Sequence, residues 1–344
     1  MRKRLLIFAA YFFVSVTIFS VGAREPNFDG YERSMYVDMV FGTAHMPYVS
    51  RVVMPMTIRT ISNITPEFAR QGVENSIDRI YPVKEIMTKM GWNPDYFFEY
   101  MTGIFLMVLC LMGFMYAMRY LAGGLFILSD RVLFFLPIIS IVFVTTLFAY
   151  YIYMYDFLSL FLFTLSYGLI VGRRWKEFFA VFVLLCFNKE TAVILIFLLL
   201  LLYWKNNLHN KKFHLLLIVL LGIFVIIRVS LVLVYFDNPG SLIEFHLFDH
   251  NLKMYLKPLH LFQLLQLLFL FVLFFAHFKE KPCFLRKGLW LALPLFVLSI
   301  FFGYINEIRV YYDVYAVFVL LAGHTLSKLV GFDWKVKSLD FNKF

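Results

Sequence analysis

Asp29, Glu32 and Asp38 lie in one polar stretch, NFDGYERSMYVDMVF from Asn27 to Phe41, and Arg51 follows between Pro47 and Pro55. A carboxylate in such a stretch can take a proton from a hydroxyl, and a guanidinium can hold phosphate oxygens in a two-pronged grip. Further charges stand inside or beside apolar sequence: Asp156, Lys189 with Glu190, Arg228, and Glu307 with Arg309. Charges at such places take a partner or line a wet cavity. Arg228 makes the demand most clearly, because Gly222 to Val234 is otherwise almost unbroken apolar sequence and a mid-helix Arg facing lipid costs at least about 2.5 kcal/mol. Side chains from several separate segments must therefore meet.

The elements that carry them are set by composition. With 62% hydrophobic residues and 43 Phe in 344, the apolar surface exceeds what a soluble core hides. The chain reads as an all-α, polytopic transmembrane helical bundle, a single membrane domain over residues 1–344. Its net charge of +10 comes from basic residues placed mostly between apolar runs, where they set topology and attract anionic headgroups; no nucleic-acid partner is expected. Cys110, Cys186 and Cys283 show no paired or metal-type spacing.

The first apolar run, 5–22, follows the basic cluster Arg2 to Arg4 and reads as an uncleaved membrane anchor, although Val21 and Ala23 mimic a peptidase site. Residues 23–99 contain no run able to span. Their mixed three and four spacings, punctuated by prolines, predict a large outer loop of short amphipathic helices on the membrane surface. Nine further runs fall within 100–330, giving about ten crossings, and 331–344 forms a tail.

With a cytoplasmic N-terminus every short inner loop is basic, as in Arg173, Arg174 and Lys176, while outer connections hold Asp156, Glu190, Asp237, Glu244, Asp249, Glu307 and Asp313. Both termini are then cytoplasmic. Two runs are short: 177–187 covers about 16 Å and 191–204 about 21 Å against a core of about 30 Å. Asn188-Lys189-Glu190 between them is expected below the outer surface, at the wall of an outward-facing cavity.

Four features together resemble the GT-C glycosyltransferase superfamily of bacterial integral membrane proteins: acidic residues opening the first outer loop, Pro-Tyr-x-x-Arg-x-x-x-Pro at Pro47 to Pro55, Asn-Lys-Glu-Thr at Asn188 to Thr191, and Glu307-x-Arg309 before the last helix. The resemblance implies an inner-membrane enzyme that moves a sugar from a polyprenyl-phosphate donor to a glycan or lipid acceptor at the outer face. It implies Asp29 as the catalytic residue, with Asp38 second. Asp29 and Asp38 are nine apart, so no tight Asp-x-Asp is present; a divalent metal is left open and no other cofactor is called for.

Glycosyl transfer from a lipid phosphate needs a base for the acceptor proton and cations for the departing phosphate. Asp29 would be the base, Arg228 and Arg309 the clamp, and Glu190 and Glu307 would hold Lys189 and Arg309 or bind sugar hydroxyls. Structural readings stand beside these: Asp156 as a helix N-terminal charge, Arg51 as a lipid-phosphate anchor, Glu190 paired only with Lys189, and Arg228 paired with an acid on another helix. His246-x-x-x-His250 is the one histidine pair at ligand spacing. A polysaccharide polymerase or O-antigen ligase, depending on outer arginines, is the second function class. A transporter or flippase of lipid-linked sugar, needing access from both sides, is the third.

Overall fold

The computed structural model describes residues 2–23, 31–80, 82–145, 152–255, 261–304, 308–332, 334–339 and 341. Asp29 and Glu307 lie outside them. The chain is almost wholly helical, as the apolar runs require, since a backbone in lipid must satisfy its own hydrogen bonds.

The first helix, α1, is Arg2–Gly22. Four short helices follow in the polar segment: α2 (Tyr36–Phe41), α3 (Val53–Ile64), α4 (Glu67–Ile80) and α5 (Val83–Lys89). Then come α6 (Phe97–Leu125), α7 (Asp130–Val144), α8 (Met154–Val171), α9 (Trp175–Asn188), α10 (Ile194–Tyr203) and α11 (Lys211–Val234). The chain continues through α12 (Leu252–Tyr255), α13 (Leu261–Phe275), α14 (Cys283–Gly288), α15 (Ala292–Phe302) and α16 (Tyr315–Leu329). Two-residue strands β1 (Phe126–Ile127) and β2 (Lys335–Val336) pair antiparallel.

The described residues of the ten apolar runs fall mainly on helix. Among the described residues six stretches are long and apolar enough to cross a membrane: Lys3–Gly22, Pro94–Leu125, Met154–Val171, Lys211–Val234, Cys283–Phe302 and Arg309–Leu329. The other four runs form shorter helices, α7, α9, α10 and α13.

Helix α8 is the centre, packed along α6 and against α9 and buried over almost its whole length. Glycines allow the close approach. At Gly168 an added methyl would strike the Tyr120 ring, and at Gly113 it would press on Phe161 at 3.0 Å. By contrast α11 and α13 keep most of their apolar side chains exposed, as helices facing lipid do.

Capping side chains set several helix starts. Ser129 Oγ accepts from Val132 N at 3.4 Å at α7, and Asn210 Oδ1 accepts from Lys212 N at 3.0 Å at α11. Between α9 and α10, Lys189 is extended (φ −155°, ψ 142°), and a single 3₁₀ turn over Glu190–Val193 leads into α10.

Long-range pairings mark the two ends of the bundle. Lys3 bonds Asp130 at 2.6 Å, and β1 after α6 pairs with β2 after α16. Lys3, Asp130 and Lys335 therefore share one end. At the other end the polar segment is clasped to the segment after α11: Met46 N donates to Pro239 O at 2.8 Å, Asn238 Nδ2 to Gly42 O and Ala44 O at 3.0 Å each, and Arg33 to Glu244 at 2.8 Å. Gly240 has φ +98°, and a Cβ there would lie 2.7 Å from Met46 O, so only glycine fits the clasp. Helix α3 turns Met54, Ile58 and Ser62 onto α6, α8 and α9 rather than lying free of the bundle. Its neighbour α4 leaves Phe68 exposed.

Candidate functional site

Arg51 follows a 3₁₀ turn, Tyr48–Ser50, that rests on the C-terminal end of α9, where Val52 N donates to Phe187 O at 3.1 Å. That seat aims the guanidinium at the start of α8 and at the α9–α10 break. It bonds the Tyr155 hydroxyl, its Nη2 lies 3.2 Å from Glu190 Oε1, and its plane sits 4.3 Å over the Tyr155 ring. Burial alone would lower the Arg51 pKa. The Glu190 carboxylate and the neighbouring tyrosines outweigh that, so Arg51 is held above its ordinary value and stays charged. Burial beside Tyr153 and Tyr155 raises the Tyr48 phenol, which therefore stays protonated.

Arg228 reaches the same place from the middle of α11. Its Nη2 donates to Ser50 Oγ at 2.9 Å and stands 3.9 Å from the same Glu190 Oε1. One carboxylate oxygen thus faces two guanidinia. Arg51 and Arg228 side chains are 14% and 15% exposed, Glu190 37%, so the acid faces outward while the cations lie beneath. Arg51 Nε is buried without a hydrogen-bond partner.

Beside this group Arg309 Nη1 lies 3.3 Å from Asp156 Oδ2, and its plane lies 4.1 Å over Tyr153. Asp156 sits in the first turn of α8, where the same oxygen also accepts from Tyr153 N at 3.2 Å. Tyr153 stacks on Tyr155 at 5.2 Å and leans on Tyr48 at 5.6 Å. The two arginine–carboxylate pairs are therefore joined through tyrosine rings.

Lys189 and Glu190 do not pair with each other, which corrects the pairing expected from their adjacency. In extended backbone successive side chains point to opposite sides. Lys189 Nζ bonds Asp313 Oδ1 at 3.0 Å, Thr191 Oγ1 donates to Asp313 Oδ2 at 2.5 Å, and Tyr167 OH donates to Asp313 O at 2.5 Å. Asp313 has no exposed side-chain surface. Lys189 is thus committed to a buried carboxylate and not turned to an open wall.

Asp38 lies apart, on α2, where its Oδ1 accepts from Thr43 Oγ1 at 3.1 Å and its carbonyl from Thr43 N and Ala44 N. The His246 and His250 rings both pack on Tyr304, and His246 faces Glu244 at 3.3 Å. Among the described residues no three His, Cys, Asp or Glu side chains gather as a metal group.

Tyr48, Ser50, Tyr153, Tyr155 and Asp313 complete the cluster without having been picked out as site residues in the sequence. Asp313 alone gave a signal, being an acid in an apolar run. Two clefts, about 520 and 440 Å³, open at the opposite end of the bundle, one beside Arg119 and Gly172 and the other beside Trp204.

No protein-family description, curated protein or solved structure matches the chain.

Proposed function

We propose that the chain is a membrane glycosyltransferase that moves a sugar from a polyprenyl-phosphate donor to a glycan or lipid acceptor at the end of the bundle carrying Arg51 and Glu190. The observation that carries this reading is the surplus of cation: Arg51 and Arg228 share one Glu190 oxygen, leaving one positive charge half-buried under an outward-facing acid. A phosphate oxygen fits that surplus, and the unpartnered Arg51 Nε adds a donor.

In the reaction the acceptor hydroxyl oxygen bonds to the anomeric carbon while the bond from that carbon to the phosphate oxygen breaks. The acceptor proton goes to a carboxylate, for which Asp29 stands first and Asp38 second. The electron pair leaves with the phosphate, whose charge falls to Arg51 and Arg228, with Arg309 beyond the tyrosine stack. Glu190 keeps the two cations in register before substrate arrives. Lys189 and Asp313 brace the α9–α10 break instead of touching substrate.

The finer topology belongs to the same proposal. Ten crossings in an inner membrane, with both termini cytoplasmic, place this cluster on the outer face. Basic residues at the Lys3 end support that orientation.

The polymerase or ligase reading is favoured by one observation. The cluster gathers arginines, and Asp38 of the first loop is not among its partners.

Binding of a polyprenyl phosphate by the detergent-purified protein, followed by native mass spectrometry, tests the clamp. Saturable binding is expected, weakened by about tenfold or more in Arg51→Ala and in Arg228→Ala, as for loss of one charge-assisted contact. Asp29→Asn should bind normally. No saturable binding by folded wild-type protein sinks the lipid-phosphate assignment. In a transfer assay, Asp29→Asn abolishing turnover supports the transferase, whereas full turnover by both Asp29→Asn and Asp38→Asn moves the reading to the polymerase or ligase.

A further inference from the structure

The cleft of about 520 Å³ at the Lys3 end lies between the last turns of α6 and α8 and the first turn of α7. Tyr116, Arg119 and Tyr120 line it with Leu133 and Val171, over a floor of Gly123, Gly124, Gly168 and Gly172. Cations collect at its edge. Arg119 Nη1 donates to Leu133 O at 2.9 Å, and its Nη2 is 4.0 Å from Asp130, an exposed acid that Lys3 already holds at 2.6 Å. Arg174 approaches the Tyr120 hydroxyl, and Lys337 Nζ bonds Gly123 O at 2.6 Å.

The charges do not cancel. Four cations, Lys3, Arg119, Arg174 and Lys337, face two acids, Asp130 and Glu177, the latter paired with Arg174 at 2.6 Å. Lys337 also covers a carbonyl at the end of α6, Gly123 O, which would otherwise repel an anion.

The glycines separate packing from space. Gly168 and Gly172 are filled by the Tyr120 ring, and Gly124 by Val171. At Gly123 an added Cβ meets only Leu133 Cδ2, at 3.7 Å, so the missing side chain there serves no helix contact and leaves the cleft open. The mouth faces outward, where Tyr116 and Tyr120 are partly exposed, and elsewhere on α7 Phe135, Ile139 and Phe143 face the surroundings. A mostly apolar recess with Arg119 in its wall and further cations at its edge matches an amphiphile with an anionic head.

We propose that this cleft is a binding site for the phosphate headgroup of an anionic phospholipid, with its acyl chains lying along the exposed face of α7. Arg119 and the Tyr120 hydroxyl hold the phosphate, and Leu133 and Val171 meet the start of the chains. The site is separate from the arginine cluster at the far end and does not depend on the reaction assigned there.

The test is native mass spectrometry of the full chain released from phosphatidylglycerol or phosphatidylcholine nanodiscs, for wild type, Arg119→Gln and Gly123→Leu. Thermal melts confirm folding. Wild type is expected to retain phosphatidylglycerol in preference to phosphatidylcholine, Arg119→Gln to lose about five- to tenfold in retention, the effect of one interfacial cation, and Gly123→Leu to lose the preference because its side chain occupies the recess. Gly123→Leu fills the recess without altering any charge, so it stands if Arg119→Gln fails to fold. Equal retention of both lipids, or phosphatidylglycerol held normally by folded Gly123→Leu, overturns the site. Displacement of the lipid by millimolar glycerol phosphate also overturns it, because the ligand would then be a soluble phosphate.

Discussion

Asp313 and Lys189 form the most enclosed ion pair of the molecule's described ion pairs, with side chains 0% and 10% exposed. Removing one partner strands the other charge in low dielectric, so Asp313→Ala should cost about 3–5 kcal/mol, and the double change Asp313→Ala with Lys189→Ala less than the sum. Thermal and denaturant melts of the four proteins measure it; additive losses would mean the two side chains act independently. Glu190 differs because it is more exposed and faces two arginines. Glu190→Gln should cost only about 1–2 kcal/mol while tightening phosphate binding, since it frees both guanidinia. A phosphate monoester gains its second charge near pH 6, and Arg51 stays charged on either side. Polyprenyl phosphate should therefore bind more tightly at pH 7.5 than at pH 5, and a flat titration would argue against phosphate as the ligand. The sequence announced that Arg228 needs a partner but not which one. Glu190 and Arg51 are 139 positions apart and Asp156 and Arg309 153, and hydropathy carries no information about pairing at that range.

Elements are positioned by close contacts as much as by apolar burial. Tyr36 of α2 lies flat on Tyr100 at 4.4 Å, and its hydroxyl donates to Glu99 O at 2.8 Å. It fits because Gly103 on α6 has no side chain, and a Cβ there would meet the Tyr36 ring. Gly103→Ala should lift α2 and cost about 1–3 kcal/mol by overpacking, with Tyr36→Ala restoring part of the loss. Limited proteolysis of residues 23–52 reports the lifting directly, and unchanged protection would refute it. The short helices of the polar segment were legible in its spacings and prolines, as was the break between α9 and α10. The docking of α3 against α6 and α8 was not, because an amphipathic face looks the same in sequence whether it meets lipid or protein.

At the scale of the molecule the long-range pairings put Lys3 and Lys335 at one end and Arg33 with Glu244 at the other. An even number of crossings must separate Lys3 from Lys335, a condition that six and ten both meet. Single-cysteine labelling, after replacing the three native cysteines, should find Lys3→Cys and Lys337→Cys accessible from one face and Arg33→Cys and Asp237→Cys from the other. Labelling of positions 3 and 337 from opposite faces would rule out that layout. Helix content was readable because long unbroken apolar runs, unlike the alternating pattern of a barrel strand, satisfy their backbone as helices. Among the described residues six stretches meet the length and hydropathy of a span on their own, so a count of ten would depend on the shorter helices α7, α9, α10 and α13.

The bond from Lys189 to Asp313 joins residues 124 positions apart. At roughly 5–20 residues per second of synthesis, Lys189 waits some 6–25 s for its partner to leave the ribosome. Until then the α9–α10 hairpin holds an uncompensated ammonium, and its final seating is timed by the arrival of the last helix. A chain stopped before Asp313 would leave that hairpin permanently unfinished and open to quality-control proteases, however complete the fifteen helices before it.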